Sequence, residues 1–346
     1  MTNAHIAAIS TAVPPHVLDT EHVIKQAGRI FARFGDDFQR MLPVFANAGI
    51  GRRYSACATE WFDGDNGWPE RSKQYLQGAT NLFRDAAAKA LNEAHLKPCD
   101  IDAIVTISST GIATPSIEAR VMHEMGFRQD VVRLPVFGLG CAGGVSGIAV
   151  AAEFAKAKPG RKVLMVVIEL CTLAFRSDEV SKANIIATAL FGDGAAALVI
   201  STDAKGPMIE HAGQHCWPDT LDVMGWRMDN QGFGAILSRD VPDIVLNDLR
   251  PVAETFLTSK NLTLSDVDGF TFHPGGAKVI QSLETTFELP ADSLRHERDV
   301  LSEFGNMSSP TVLFILKRAL ADGPKPRRLV SALGPGFSAT FITLVQ

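Results

Sequence analysis

The chain lacks most of the features that mark an easily recognised class. Its 346 residues carry a formal charge of −5 and gather no basic stripe, so no nucleic-acid surface is expected. Five cysteines (Cys57, Cys99, Cys141, Cys171, Cys216) are odd in number, widely spread and free of C-x-x-C spacing. That argues against a disulfide framework and against structural zinc. The start reaches Pro14 and Pro15 before any apolar run long enough for a secretion signal or a membrane span, so a cytoplasmic protein with no membrane contact is expected. No Gly/Ser tract or low-complexity linker interrupts the chain, and any domain boundary must therefore be a packed one. What is present is 46% hydrophobic residues and a mean hydropathy of +0.09, enough for one large α/β body or two half-domains.

Periodicity predicts alternation of strand and helix. Strand patterns at 6–9, 103–107, 131–137, 163–168 and 195–200 alternate with helical patterns at 70–94, 116–125, 145–157 and 182–189. The second half repeats the theme, with helices near 244–257, 277–287 and 310–321 and strands near 269–272, 329–332 and 340–345. The two halves also match residue by residue. Arg84 and Arg250, Leu91 and Leu257, Leu96 and Leu262, and Asp100 and Asp266 each lie 166 positions apart. The same shift carries Arg161–Leu164 onto Arg327–Val330. A constant offset across helix, turn and strand predicts two copies of one βα unit, with halves at 1–202 and 203–346.

Chemistry concentrates at three points. Val131–Phe137 closes on Gly138, Leu139 and Gly140, after which Cys141 opens a Gly- and Ala-rich helical pattern. A thiol at a helix start feels unpaired N–H groups and the positive end of the dipole, which favour thiolate. A small buried hydrophobe in a Gly-rich turn is the plainer alternative. Shifted by 165, Cys141 lands on Asn306, within Gly305–Pro310 and again just before a helix, with Ser309 placed to cap and Pro310 in the first turn. Cys141 and Asn306 are expected to face each other. His273 ends the strand that images residues 103–107, where Pro274, Gly275 and Gly276 break the pattern. Taken singly, a loop histidine and a turn asparagine are ordinary; at pseudo-symmetric positions around one thiol they point to catalysis.

GCAGG at Cys141, FGDGAAALVI from Phe191, FHPGG at His273, EFGNMSSPTVLF around Asn306 and LGPGFSATF from Leu333 closely resemble the type III polyketide synthases, the chalcone-synthase-like branch of the thiolase superfamily. The resemblance covers nearly the whole chain. It implies a thiolase-like α/β fold of layered α-β-α-β-α architecture, and a homodimer in which the segment near Thr114 reaches the partner's cavity. It also implies catalysis by Cys141, His273 and Asn306. Cys141, its pKa lowered by the helix start and by His273, would take an acyl starter from acyl-CoA. His273 and Asn306 would steady the enolate formed as malonyl-CoA loses CO2. Repeated condensation and cyclisation would follow, with no cofactor or metal beyond the CoA thioesters as substrates.

Further positions follow from the same resemblance. Phe191 corresponds to an aromatic gate, and Ser308 and Gly336 (in Gly334–Gly336) to cavity-shaping elements. Lys278 and the pair Arg52 and Arg53 are placed to meet CoA phosphates. Ala174 stands where plant enzymes carry Thr, and Ala235 where they carry a second gatekeeper Phe, while Trp226 takes the place of a cavity-lining Gly and works against the space so gained. The lost bulk points to a long-chain acyl starter and alkylpyrone or alkylresorcinol products. The alternative is a ketoacyl-ACP synthase of the kind that initiates fatty-acid synthesis, although such enzymes carry His-Gln-Ala-Asn where this chain reads His273, Pro274, Gly275, Gly276.

Overall fold

A computed structural model describes residues 2–346. The first half runs β1 (Ala4–Ala12), β2 (His16–Asp19), α1 (Thr20–Ile30), α2 (Asp36–Gln39), α3 (Pro43–Asn47), β3 (Arg52–Ser55), α4 (Trp68–Glu93), β4 (Ala103–Ile107), α5 (Ile117–Met125), β5 (Val132–Val136), α6 (Gly143–Lys156), β6 (Lys162–Leu170), α7 (Lys182–Leu190) and β7 (Asp193–Ser201). The second half runs β8 (Met208–Cys216), β9 (Met224–Asp229), β10 (Gly232–Leu237), α8 (Val241–Ile244), α9 (Arg250–Thr258), β11 (Gly269–Phe272), α10 (Ala277–Thr286), α11 (Arg295–Phe304), α12 (Thr311–Ala321), β12 (Arg327–Gly334) and β13 (Ser338–Val345).

Nine strands form one continuous sheet in the order β11-β12-β13-β8-β1-β7-β6-β4-β5. Only two residue pairs, Ala4 with Ile209 and His5 with Met208, join the two halves at β1 and β8. The sheet thus folds as two half-sheets hinged at a narrow seam. Helices α6 and α12 pack against strands of both halves and against each other. Three apolar clusters follow: one around α6 and α12, one between the second half-sheet and its outer helices, and one beneath α4. This is the α-β-α-β-α layering. Strands β4 and β7 are buried along their whole length, as strands covered on both faces must be, which explains their unbroken apolar runs.

The internal repeat has a local signature. Asp102 accepts the N–H of Lys162 at 2.8 Å and its own N–H donates to the Lys162 carbonyl; Asp268 does the same with Arg327 at 2.9 Å. The offset is 166 for Asp102 and Asp268 but 165 for Lys162 and Arg327, so the expected match of Arg161–Leu164 with Arg327–Val330 is one residue out of register; 165 is also the value that relates Cys141 to Asn306.

Several elements differ from expectation. The helix expected at 244–257 begins at Val241 and is broken by a π-turn over Val245–Leu249. Pro251 has no N–H to donate and its ring crowds the preceding turn, so the ladder widens there. Strand β8, hairpin β9–β10, and helices α1 and α11 were not among the expected elements; α1 and α11 are short amphipathic helices with mostly polar composition. Ser309 does not cap α12; its hydroxyl is committed elsewhere, and the helix starts after Pro310.

Candidate active site

Cys141 sits in a 3-10 turn, Gly140–Ala142, that runs directly into α6. Gly138 and Gly140 have φ of 94° and 47°, left-handed values that suit glycine, and their N–H groups both donate to Ser109 Oγ. Gly144 is required by proximity. A Cβ there would lie 2.4 Å from the Ser309 carbonyl oxygen, so its absence lets the Asn306 segment rest on the nucleophile's helix. The Gly334–Gly336 turn closes from the other side, since a Cβ on Gly334 would come within 2.7 Å of Ala142 Cβ. Gly336 itself has φ of 130° and faces Cys216 rather than Cys141.

On the opposing side, Asn306 is pinned by its backbone to Leu190 and Gly192, the neighbours of Phe191. Its side chain bridges onward: Nδ2 donates to the Gly275 carbonyl at 2.9 Å and Oδ1 accepts the Ser308 N–H at 2.7 Å. Ser308 holds a left-handed φ of 58°, unusual for a residue with a side chain, and its side chain lies near enough to the Cys141 thiol to pull that group's pKa down. The Asn306 amide therefore links Ser308, the residue near the Cys141 thiol, to Gly275, two residues from His273. His273 is buried, and neither ring nitrogen has a hydrogen-bond partner among the described residues. An Asn amide with one N–H committed retains a second, and a neutral imidazole retains one N–H and one lone pair.

Electrostatics correct one expectation. Burial pushes the Cys141 thiol up to about 12, although the Ser308 hydrogen bond pulls the other way, and Glu169 adds repulsion. Burial likewise pushes His273 down to about 3. Desolvation outweighs the helix start at the thiol, so burial favours the neutral form of both groups, opposite to the lowered thiol pKa expected from the sequence.

The remaining expected positions divide. Phe191 lies against Trp226, ring centroids 5.9 Å apart and edge to face, and Trp226 sits directly across the hairpin from Ala235. Bulk missing at Ala235 is thus returned by its cross-strand neighbour. Ala174 is buried in the turn after β6. Lys278 is exposed in the first turn of α10, with no ion-pair partner among the described residues, and Arg52 is half-exposed, 4.0 Å from Glu303. Arg53 contradicts its expected role at CoA. It is 2% exposed, and Nη1 donates to the Ala189 and Phe191 carbonyls, because strand alternation turns it inward where Arg52 turns out. Beside Phe191 and Cys171 lies an apolar pocket of about 60 Å³, walled by Val23, Ala27, Ile30, Phe62, Phe175 and Ala187.

Glu169 carries a part of the site that no spacing pattern singled out. It is fully buried beside the thiol, accepts the Ser109 N–H, and receives the hydroxyls of Thr110 and Ser309, each at 2.8 Å. Burial raises it to about 7, against the pull of those hydrogen bonds. The available signal was a lone carboxylate near the end of the otherwise apolar run Val163–Leu170.

Comparison with known proteins identifies the family. Residues 1–204 match the N-terminal domain of chalcone and stilbene synthases, and residues 208–338 the C-terminal domain. A 1,3,6,8-tetrahydroxynaphthalene synthase of Streptomyces peucetius subsp. caesius is 34% identical over 98% of this chain and 92% of its own. An α-pyrone synthesis polyketide synthase-like protein, Pks18, of Mycobacterium tuberculosis (strain CDC 1551 / Oshkosh) is 26% identical over 97% and 89%. The crystal structure of the tetrahydroxynaphthalene synthase from Streptomyces coelicolor A3(2), a bacterial type III polyketide synthase, superposes with a TM-score of 0.93 at 29% identity, covering 99% of both chains. The ketoacyl-ACP synthase alternative is not favoured by these matches. With both family domains matched in order and the fold shared end to end, the chain belongs to the chalcone and stilbene synthase family and is an enzyme of the type III polyketide synthase class.

Proposed function

We propose that the enzyme loads an acyl starter from acyl-CoA onto Cys141, extends it with malonyl-CoA, and cyclises the product, with a long-chain starter leading to alkylpyrones or alkylresorcinols. The observation that carries this reading is the Asn306 amide, whose Oδ1 accepts the Ser308 N–H and whose Nδ2 reaches the Gly275 carbonyl: it ties the segment near the buried Cys141 thiol to the turn after His273, an imidazole whose ring nitrogens have no partner among the described residues. In the loading step the thiol proton passes to His273, sulfur attacks the thioester carbonyl, and CoA leaves with a proton. In extension the malonyl C–C bond breaks, CO2 departs, and the electron pair forms an enolate. His273 N–H and the second Asn306 Nδ2–H donate to its oxygen. The enolate carbon then attacks the acyl carbonyl and frees the Cys141 sulfur.

The long-chain reading is supported by the apolar pocket beside Cys171, whose thiol feels the charge of Cys141 and so lies near it. A space of about 60 Å³, against about 10–15 Å³ for one water on the same measure, accommodates part of an alkyl chain. Lys278 and Arg52 are the cations available to CoA phosphates. A homodimer is part of the same reading, supported by the edge strand β5, where Val132 is 44% exposed, and by Phe137 just past its end, 52% exposed. A series of acyl-CoA starters with malonyl-CoA, read by mass spectrometry, tests the proposal. Products should lengthen with the starter, and turnover of malonyl-CoA alone with no use of any acyl-CoA would overturn the long-chain part.

A further inference from the structure

Strand β11 is the end strand of the sheet, paired with β12 on one edge and with no strand on the other. Its successive N–H groups point to opposite edges. The His273 N–H goes inward to the Ser331 carbonyl at 2.9 Å, and the Phe272 N–H points outward. There it meets Oε1 of Glu297 at 3.0 Å, and both residues are buried. A buried amide left unpaired is costly, so Glu297 supplies at this edge what another strand would.

A second restraint acts beside it. Arg328 Nη1 donates to the Phe270 carbonyl and to Thr271 Oγ1, each at 3.1 Å, and Nη2 donates to the Ala319 carbonyl of α12 at 3.2 Å. Arg328 also attracts Glu297. The helix that carries Glu297 in its first turn ends at Phe304, and after Gly305 the chain arrives at Asn306. One ten-residue helix therefore grips the strand that presents His273 and launches the segment that presents Asn306.

From this geometry we infer that Glu297 is a positioning residue: by holding the Phe272 N–H at the open sheet edge it sets the His273 imidazole relative to the Asn306 amide. The inference rests on the reading of His273 and Asn306 as enolate donors. Burial raises Glu297 to about 7, with the Phe272 N–H the main opposing influence. Neutral or charged, the group keeps an oxygen for that N–H, and a glutamine would as well.

The test compares Glu297→Ala, Glu297→Gln and His273→Ala in the full chain, following CO2 release from malonyl-CoA, with folding checked by circular dichroism. Without the acceptor, Glu297→Ala should lower kcat about 10- to 100-fold, the scale of an ångström-sized misplacement. The KM for malonyl-CoA should stay within about 3-fold, and Glu297→Gln should stay within about 3-fold of the parent in both. If Glu297→Ala does not fold, Glu297→Met, similar in size and lacking the acceptor, takes its place. A folded acceptor-less variant with the parent kcat, or a Gln variant as slow as Ala, overturns the inference. A fully active His273→Ala would instead sink the reading of the site beneath it.

Discussion

Around Cys141, in the first half of the chain, polar groups are tied to one another: Ser109, Thr110 and Glu169 form a closed set, with Ser309 reaching across. In the second half neither ring nitrogen of His273 has a partner among the described residues, and Asn306 commits only one of its two side-chain N–H groups. One half holds its reactive atom in place, and the other keeps donor capacity in reserve. A nucleophile must be fixed in position, whereas an oxyanion site works by leaving donors aimed at charge that has yet to develop. The two halves thus surround their reactive groups with opposite hydrogen-bond economies.

The sharpest way to break that comparison is Cys141→Ala. Product formation should fall by on the order of 10⁴-fold or more, as when other nucleophiles are removed, while CO2 release from malonyl-CoA persists because its donors belong to the other half. Loss of both would erase the division of labour. His273→Ala and Asn306→Ala come next, each expected to slow CO2 release about 10²- to 10³-fold, measured as initial rates at saturating malonyl-CoA.

Thiol chemistry sharpens the same contrast. With Cys141 pushed up to about 12, its alkylation by iodoacetamide should rise about tenfold per pH unit from pH 6 to 9 with no plateau. The exposed Cys99 and Cys216 should label first. A plateau near neutral pH, followed by mass spectrometry of the labelled peptides, would restore the lowered thiol pKa. A smaller effect concerns the buried carboxyls. Glu169 and Glu297 sit near 7 when folded against an ordinary 4.5, so the folded state keeps protons that the unfolded chain has released. Stability is therefore full below about 4.5 and is lost as pH rises toward 7, by up to about 3 kcal/mol per group. Urea unfolding at pH 5 and pH 8 should show the fall, and Glu169→Gln should flatten it. Smallest of all, Lys278→Ala should raise the KM for acyl-CoA a few-fold, roughly, in a salt-dependent way with kcat unchanged. Arg53→Ala, by contrast, should lower the melting temperature, since it removes two buried hydrogen bonds to carbonyls.

Strands β4, β6 and β7 were legible because burial on both faces leaves an unbroken apolar run, and α6 because its small residues sit at helical spacing next to a glycine-rich turn. Strand β8 was not, since its run Met208–Cys216 carries Glu210, His211, Gln214 and His215 toward half-exposed positions. Helix α11 was missed although Glu297, Val300 and Leu301 fall at helical spacing, because its one buried stripe is short and includes a carboxylate in an otherwise charged segment. Arg52 and Arg53 read alike in the chain, and only the pleat separates an outward cation from a buried one.

Periodicity, a repeat offset and three polar residues in or next to glycine-rich turns were enough to suggest two half-units and to nominate Cys141, His273 and Asn306, because those signals are local and are written in residue order. The charge state of the thiol, the role of Glu169 and the bracing of β11 by Glu297 were decided by the tertiary structure. Desolvation and the pairing of buried amides depend on what surrounds a group in space, and residues separated by 60 or 25 positions along the chain, Ser109 with Glu169 and Phe272 with Glu297, meet only after folding.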